Sequence, residues 1–207
     1  MSTAASQALC ALRHMRHDSR ATSVATGPVS RARVVVMGVC GCGKSTVGAH
    51  LAHVLLSPFV EGDRLHPPAN VSKMAAGQPL NDDDRKPWLD QVGRCLSQAG
   101  AGIVVSCSAL KRAYRARLSV ACSSGPPVVF LHIKVSRAVI VARVSRRADH
   151  FMPVSLVDSQ FDTLEDPVLD FPPDAAHAQQ QQWHVITVNG ETDVMPIVHH
   201  AVRALSS

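Results

Sequence analysis

The sequence has 207 residues, of which 46% are hydrophobic and 18% are charged, and this is enough to bury the core of one domain. The formal net charge of +5 lies mostly in residues 1–33, which contain five arginines and one aspartate, so the remainder is nearly neutral. We therefore expect no nucleic-acid partner, which would need a basic face on the folded part, and no membrane partner, because no apolar run reaches the roughly 18 residues of a span.

Residues 1–30 are rich in Ala, Ser and Arg, and they lack the apolar core of roughly 7–15 residues that a secretion signal needs. Two interpretations stay open for this segment. It is either a disordered extension, separated from the first strand by Gly27-Pro28, or a mitochondrial transit peptide. We favour disorder over residues 1–32, followed by a single domain over residues 33–207.

An apolar, β-branched run at residues 34–37 leads into a glycine-rich segment and then into a helix-compatible stretch at residues 47–56. The segment fits the spacing G-x-x-x-x-G-K-[ST] in the strand–loop–helix context of a phosphate-binding P-loop. Lys44 is predicted to reach the β- and γ-phosphates of a nucleoside triphosphate, and Ser45 to ligate Mg²⁺. A glycine-rich turn with a chance lysine is the competing interpretation. The nucleotide-binding residues predicted here are Gly38, Val39, Cys40, Gly41, Cys42, Gly43, Lys44, Ser45 and Thr46.

Two of the six cysteines, Cys40 and Cys42, lie inside this loop. They could form a metal or redox pair, but small loop residues are the simpler interpretation. No two cysteines have C-x-x-C spacing, which favours reduced thiols in an intracellular protein. We therefore expect a cytoplasmic location, with the mitochondrion as the alternative.

Carboxylates follow the second predicted strand, residues 57–60, in the sequence Glu61-Gly62-Asp63. Ligands of open α/β sheets bind outside the carboxyl ends of the strands. The next buried strand, residues 103–105, ends in Ser106, where many P-loop proteins place a magnesium-binding aspartate. We therefore assign the metal to Glu61, and to Asp63 the orientation and deprotonation of the acceptor hydroxyl. Capping of the following helix is the competing role for Asp63.

Helices are predicted over residues 67–76, 83–98, 109–121, 136–147 and 154–163. Asn81 and Asp82 are expected to cap the second of these helices, while Arg85 faces the site. The third is basic, and its first turn follows a strand end, so substrate contact and a merely solvated face both stay open. The last two are predicted to form a lid over residues 136–163, in which Arg143 and Arg147 close over the γ-phosphate, with a solvated basic helix as the alternative.

The strands at residues 128–133 and 183–188 complete a predicted sheet of five parallel strands with helices on both faces, followed by a closing helix to residue 205. The Pro- and Gln-rich residues 165–182 are expected to form an irregular, poorly ordered insertion. This order of elements predicts an α/β P-loop fold. Because there is no Asn-Lys-x-Asp motif and no strand-borne Asp-x-x-Gly, a small-molecule kinase is favoured over a GTPase.

The chain resembles the gluconokinase family of P-loop carbohydrate kinases in four motifs that occur in the family's order. The first is the phosphate loop at residues 37–45, and the second is Glu61-Gly62-Asp63-Arg64-Leu65-His66-Pro67, with Asn70 and Lys73-Met74 after it. The third and fourth cover residues 79–89 and 107–115, and the lid resembles residues 143–151 with Gln160-Phe161 beyond. The resemblance implies a P-loop NTPase fold of the nucleoside/shikimate kinase type.

The resemblance also implies ATP-dependent phosphorylation of D-gluconate to 6-phospho-D-gluconate, which feeds the pentose phosphate pathway, by a homodimer that requires Mg²⁺. Gluconate offers a carboxylate and a row of hydroxyls, so its site needs cationic donors, for which Arg64, Arg85, Lys111 and Arg115 are candidates, and carboxylate acceptors, for which Asp63, Asp83 and Asp84 are candidates. The catalytic residues implied are Lys44, Asp63 and Arg147. The substrate-binding residues implied are Asp63, Arg64, His66, Lys73, Arg85, Ser108, Lys111, Arg115 and Gln160.

The chain departs from the family pattern in the N-terminal extension and in the Pro- and Gln-rich insertion, which affects the prediction of location and lid surroundings but not that of the chemistry. Two alternatives to a gluconokinase stay open. A shikimate-type or nucleoside monophosphate kinase shares the fold and the P-loop. A nucleotide-binding regulatory subunit without turnover is the other alternative, although the intact Lys44, Ser45 and Asp63 argue against it.

Overall fold

The computed structural model describes residues 32–100, 102–146, 154–170 and 183–206. Three parts of the prediction lie outside these ranges: residues 1–31 of the extension predicted over 1–32, residues 147–153 of the predicted lid, which include Arg147, and residues 171–182 of the insertion. No helix within them is both long and apolar enough to cross a membrane.

The described part of the chain contains five strands and seven α-helices. They are β1 (Arg33–Met37), α1 (Lys44–Val54), β2 (Phe59–Glu61), α2 (Pro68–Ala75), α3 (Asp82–Gln98), β3 (Ile103–Ser106), α4 (Arg112–Val120), β4 (Val128–Lys134), α5 (Arg137–Ser145), α6 (Val154–Thr163), β5 (Trp183–Asn189) and α7 (Val194–Leu205). The helix and strand predictions are confirmed to within a few residues at most boundaries.

The strands form one parallel sheet in the order β2-β3-β1-β4-β5. Met37 at the end of β1 is in register with His132 of β4, and Glu61 of β2 is in register with Ser106 of β3. The carboxyl ends of all five strands therefore meet at one edge of the sheet, which is where α/β folds bind their ligands. The predicted five-stranded parallel sheet of a P-loop kinase fold is confirmed.

The sheet is covered on both faces because successive side chains of a strand point to opposite sides. Val34 and Val36 of β1 pack into one hydrophobic cluster with α1 and α7, while Val35 and Met37 pack into a second cluster with α3 and α4. All five residues of β1 are buried, as a parallel strand in the middle of a sheet with helices on both faces requires. The central strand and its loop thus rest on packed core from both sides.

Two short 3₁₀ helices, Gly62–Leu65 and Pro167–Asp170, were not predicted. The first begins at a glycine for a steric reason: a Cβ on Gly62 would lie 1.9 Å from the carbonyl oxygen of Ser106. The second corrects the prediction of an irregular insertion for its first residues, because Pro167 and Asp170 are buried. A tertiary contact between Asp170 and Arg115, and not the local sequence, explains why these residues are ordered.

Candidate active site

The phosphate loop has the backbone that its glycines predict. Gly38, Gly41 and Gly43 have φ angles of 137°, 79° and 102°, in the left-handed region where a side chain is strained. The Lys44 ammonium donates to the carbonyl oxygens of Gly38 and Val39 at 3.1 and 3.0 Å. The first-turn N–H groups of α1 have no intrahelical partner, so loop and helix together offer donors to an anion.

The charge of Lys44 is maintained by its surroundings. Burial on its own lowers the pKa of this ammonium, whereas the Cys42 sulfur, once it is ionised at high pH, and the Asp63 carboxylate raise it, and the net shift is upward. Burial also raises the pKa of the Cys42 thiol, so the thiol stays protonated and is a poor metal ligand. Cys40 and Cys42 are both free, which supports their interpretation as small loop residues.

Glu61 is held at the end of β2 by the neighbouring strand. The Ser106 hydroxyl donates to Glu61 Oε1 and accepts from the Gly62 N–H at 3.1 Å. Ser106 is 1% exposed, so this contact is fixed within the fold. The third strand therefore supplies a hydroxyl that orients the carboxylate of β2, where other P-loop proteins have an aspartate. Sequence reasoning noted the position of Ser106 but missed this role.

Asp63 lies two residues beyond Glu61, with its side chain exposed. Its carboxylate contributes to the raised pKa of Lys44, and it opposes the lowering of the His66 pKa that burial causes. The backbone carbonyl of Asp63 accepts from the His66 N–H, and α2 begins after Pro67, so Asp63 does not cap that helix. The capping alternative is thereby removed, and Arg64 beside it is also exposed.

The donors at this edge fit Mg²⁺. Ser45 and Glu61 offer a hydroxyl and a carboxylate oxygen, the ligand types that Mg²⁺ takes when phosphates and water complete its shell. The described residues contain no cluster of three or more His, Cys, Asp or Glu side chains that could hold an ion alone. An ion held by Ser45 and Glu61 would take its remaining ligands from phosphate and water.

A cavity of about 500 Å³ lies between the start of α3, the segment before α4 and the helix α6. Its charged lining comes from Asp82, Asp83, Arg85 and Lys111, and α6 adds Ser159 and Thr163. Cations, carboxylates and hydroxyls therefore surround one space, as the binding of a polyhydroxylated acid requires.

Hydrogen bonds order the cationic wall of this cavity. Lys111 Nζ donates to both Asp82 oxygens at 2.8 Å, the Tyr114 hydroxyl donates to the same carboxylate, and Arg85 donates to the Tyr114 hydroxyl at 3.4 Å. The bonds from Lys111 and then Tyr114 lower the pKa of Asp82. Tyr114 was not among the predicted site residues, although the motif of residues 107–115 contains it.

The family model described as shikimate kinase matches residues 40–170. The chain is 45% identical over 173 residues to a gluconokinase of Gluconobacter oxydans (strain 621H), covering 82% of this chain and 89% of the relative. It is 41% identical over 139 residues to the thermoresistant gluconokinase of Escherichia coli (strain K12), covering 66% and 78%. The chain belongs to the gluconokinase family.

Solved structures agree with this assignment. A gluconokinase from Sinorhizobium meliloti 1021 is 40% identical, has a TM-score of 0.70, and the match covers 86% of this chain and 93% of that one. A shikimate kinase from Bacteroides thetaiotaomicron is 14% identical with a TM-score of 0.57, covering 85% and 99%, and so shares the fold alone. The shikimate kinase family model thus describes the common fold, whereas the sequence identity separates the gluconokinases.

The structure corrects the substrate-binding role that the family resemblance implied for Arg115. Its side chain is 0% exposed, and Nε and Nη2 donate to the Asp170 carboxylate at 2.6 and 2.7 Å. Nη1 donates to the carbonyls of Ala109 and Leu110 at 2.9 Å, and Nη2 also reaches the Glu165 carbonyl. Every N–H of the guanidinium is used, so Arg115 cannot bind substrate and the prediction is wrong. It orders residues 167–170 instead.

Lys73 is also engaged elsewhere. Its ammonium pairs with Asp84 at 2.5 Å, and Asp84 forms a capping box with Asn81 at the start of α3. Asn81 therefore caps as predicted, but its partner is Asp84, while Asp82 faces the cavity. Lys73 joins α2 to this cap, so a direct bond from Lys73 to substrate would have to replace an existing ion pair.

His66 stacks on Trp88, with ring centroids 4.2 Å apart and planes 14° from parallel. Burial lowers the pKa of His66, the nearby Arg85 lowers it further, and Asp63 opposes both. The ring is therefore held against Trp88 and does not line the cavity described above. Ser108, another predicted substrate residue, accepts from the Gly38 N–H through its backbone carbonyl at 3.3 Å.

Arg143 and Gln160 of the predicted lid contact two different parts of the domain. Arg143 Nη2 donates to the Gly190 carbonyl at 2.8 Å, in the loop after β5, and Arg147 lies outside the described residues. Gln160, implied as a substrate residue, contacts the phosphate loop: its Oε1 accepts from the Cys40 N–H at 2.7 Å. The closure of arginines over the γ-phosphate stays a prediction.

Proposed function

We propose that this chain catalyses the ATP-dependent phosphorylation of D-gluconate to 6-phospho-D-gluconate. The observation that carries the proposal is the cavity lined by Asp82, Arg85 and Lys111, on the same edge of the sheet as the phosphate loop. Gluconate has one carboxylate for a cationic group and several hydroxyls for acidic acceptors. The relatives named gluconokinases support the same substrate.

The roles of the site residues follow from their positions. Lys44 binds and neutralises the β- and γ-phosphates, since phosphoryl transfer depends mostly on positioning and charge stabilisation. Asp63 accepts the hydrogen bond of the acceptor hydroxyl and takes its proton as the phosphoryl group is transferred. Ser45 and Glu61 would hold Mg²⁺, which supplies further charge neutralisation when bound.

Three finer parts of the proposal rest on sequence reasoning. Arg143 and Arg147 contact the γ-phosphate in a closed lid and exclude water. The protein works as a homodimer. Its location is cytoplasmic, unless residues 1–30 act as a mitochondrial transit peptide.

The test is an assay of ADP release by the purified full-length chain over a panel of acceptors: D-gluconate, related sugar acids, neutral sugars, shikimate and nucleoside monophosphates. We expect D-gluconate to give the highest kcat/KM, and Lys44→Ala, the background control, to lose more than a factor of about ten in kcat, or roughly 1.4 kcal/mol. Preference for shikimate or for a nucleotide acceptor would replace the proposal with the corresponding kinase. Nucleotide binding without turnover of any acceptor would favour a regulatory subunit.

A further inference from the structure

Gln160 is the one side chain of α6 for which the described residues show a hydrogen bond to the phosphate loop. The bond joins its Oε1 to the Cys40 N–H at 2.7 Å, across 120 residues of sequence. A backbone N–H can only donate, so the carboxamide must present its oxygen to Cys40. In this orientation the two N–H donors of the Gln160 NH₂ group have no hydrogen-bond partner among the described residues.

The same helix forms one wall of the acceptor cavity. Ser159 precedes Gln160 directly, Thr163 lies one turn further on, and both line the cavity. The Thr163 hydroxyl donates to the Ser159 carbonyl at 2.6 Å, which fixes these two positions to each other. A ligand in the cavity and the phosphate loop therefore contact one rigid turn of helix.

The segment that follows α6 is attached to the opposite wall of the cavity. The Glu165 N–H donates to the Leu110 carbonyl at 3.0 Å, and the Glu165 carboxylate accepts from the Arg112 N–H at 2.5 Å. Lys111, between these two anchors, lines the cavity. Acceptor bound between Lys111 and α6 would thus contact a helix that is also hydrogen-bonded to the phosphate loop through Gln160.

We propose that Gln160 is a positioning residue that couples acceptor binding to the phosphate loop. Acceptor in the cavity fixes α6, and the carboxamide of Gln160 passes this restraint to the Cys40 amide, so the acceptor and the triphosphate each increase the affinity of the other. The inference rests on the proposed function, because it takes gluconate as the acceptor and ATP as the donor. Such reciprocity is a requirement of any coupling between two binding sites.

The test uses titration calorimetry on the full chain and measures the binding of D-gluconate alone, and then that of a non-hydrolysable ATP analogue with and without saturating D-gluconate. For the wild type we expect gluconate to lower the Kd of the analogue by a factor of about five or more, at the lower end of usual coupling. Gln160→Met keeps the length of the side chain but removes both hydrogen-bonding functions. Its ratio of Kd values should fall to about one, while the Kd measured without gluconate stays within about two-fold of wild type.

Two further variants make the result specific. Gln160→Glu keeps an oxygen for the Cys40 N–H, so it should retain the coupling ratio, although its charge weakens analogue binding in both states. Asp162→Asn changes an exposed side chain on the same helix and should match the wild type. Equal loss of coupling in the Glu and Met variants would overturn the role of the oxygen contact.

A wild type that binds gluconate and the analogue independently overturns the inference alone, as does a Gln160→Met variant that keeps the wild-type ratio. A wild type that does not bind gluconate at all overturns the proposed function, and the inference with it. The two failures are therefore distinguishable in one series of titrations.

Discussion

Asp63 is placed by its chain neighbours, since the described residues give its carboxylate no hydrogen-bond partner. Gly62 before it is fixed twice: its N–H donates to the Ser106 hydroxyl, and its carbonyl accepts from Trp88 Nε1 at 2.8 Å. Glu61 is bound to the same hydroxyl. The turn thus projects a free carboxylate from a rigid base, which suits a group that must meet a substrate hydroxyl.

Replacing Asp63 by Asn keeps the shape of the side chain but removes its charge and its capacity to take a proton. We expect kcat with gluconate to fall by about 10²-fold or more, because general base catalysis typically contributes 10²–10⁴-fold. Nucleotide affinity, measured by titration, should stay near that of the wild type. Turnover of gluconate at a near-normal rate would move the orienting role to another residue.

For single residues, the sequence predicted which side chains lie at the ligand-binding edge of the sheet. It did not predict which of them are already paired with other side chains. Lys44, Glu61 and Asp63 follow from motif spacing and from the direction of parallel strands. The engagement of Lys73 by Asp84 and of Arg115 by Asp170 depends on which helices pack together. A motif contains several cations, and only tertiary packing decides which of them remain available for substrate.

Among the elements, the segment at residues 164–170 has the greatest influence on its neighbours. The Asp170 carboxylate accepts from Arg115 of α4 and, at 3.1 Å, from Trp183 Nε1 of β5. Both charged side chains are buried, at 0% and 2% exposure. The ion pair joins α4 to the segment across 55 residues, and the bond from Trp183 adds β5, although the proline-rich local composition gave no sign of either contact.

Arg115→Met should therefore destabilise the fold, because it leaves the Asp170 carboxylate buried without a counter-charge. A broken buried pair of this kind typically costs about 3–5 kcal/mol. Urea unfolding at neutral pH would measure the loss, and the double variant with Asp170→Asn should recover part of it while keeping an acceptor for Trp183. A loss below about 1 kcal/mol in the single variant would contradict this role.

The acid stability of the whole molecule should depend on His132, which is 2% exposed in β4 and whose Nδ1 has no hydrogen-bond partner in the described structure. Burial lowers the pKa of His132 from 6.5 to about 4, with Lys134 and Arg115 adding to the effect and Asp166 opposing it. The folded state thus favours the neutral ring. The stabilisation is complete above pH 6.5 and is lost as the pH falls towards 4, because the unfolded chain takes up the proton first.

Between pH 7.5 and pH 5 this linkage corresponds to about 2 kcal/mol of unfolding free energy. Urea midpoints measured at the two pH values should differ accordingly in the wild type, and His132→Gln should reduce the difference. If the variant loses as much stability between pH 7.5 and pH 5 as the wild type, other titratable groups cause the loss.

The N-terminal residues should be dispensable for the activity of the whole protein. The first described strand begins at Arg33, whose guanidinium donates to the carbonyls of Cys122, Ser124 and Pro126 at 3.0–3.3 Å, so the domain has its own attachment at this point. Deleting residues 1–30 should leave kcat and KM for gluconate within about two-fold of the full chain. Lost activity in the purified variant would refute this, while altered location in cells without such loss would support a targeting role.

The order of the strands also divides the molecule by local stability. β1, which carries the phosphate loop, is buried and paired on both sides, whereas β2 has three half-buried residues and pairs with β3 alone. Amide hydrogen exchange should therefore be slowest at residues 34–37 and much faster at residues 59–61, since local opening follows burial and pairing. The nucleotide would then be bound by the part of the protein that opens least often. Adjustment to different acceptors would come from an edge that opens at little cost in free energy.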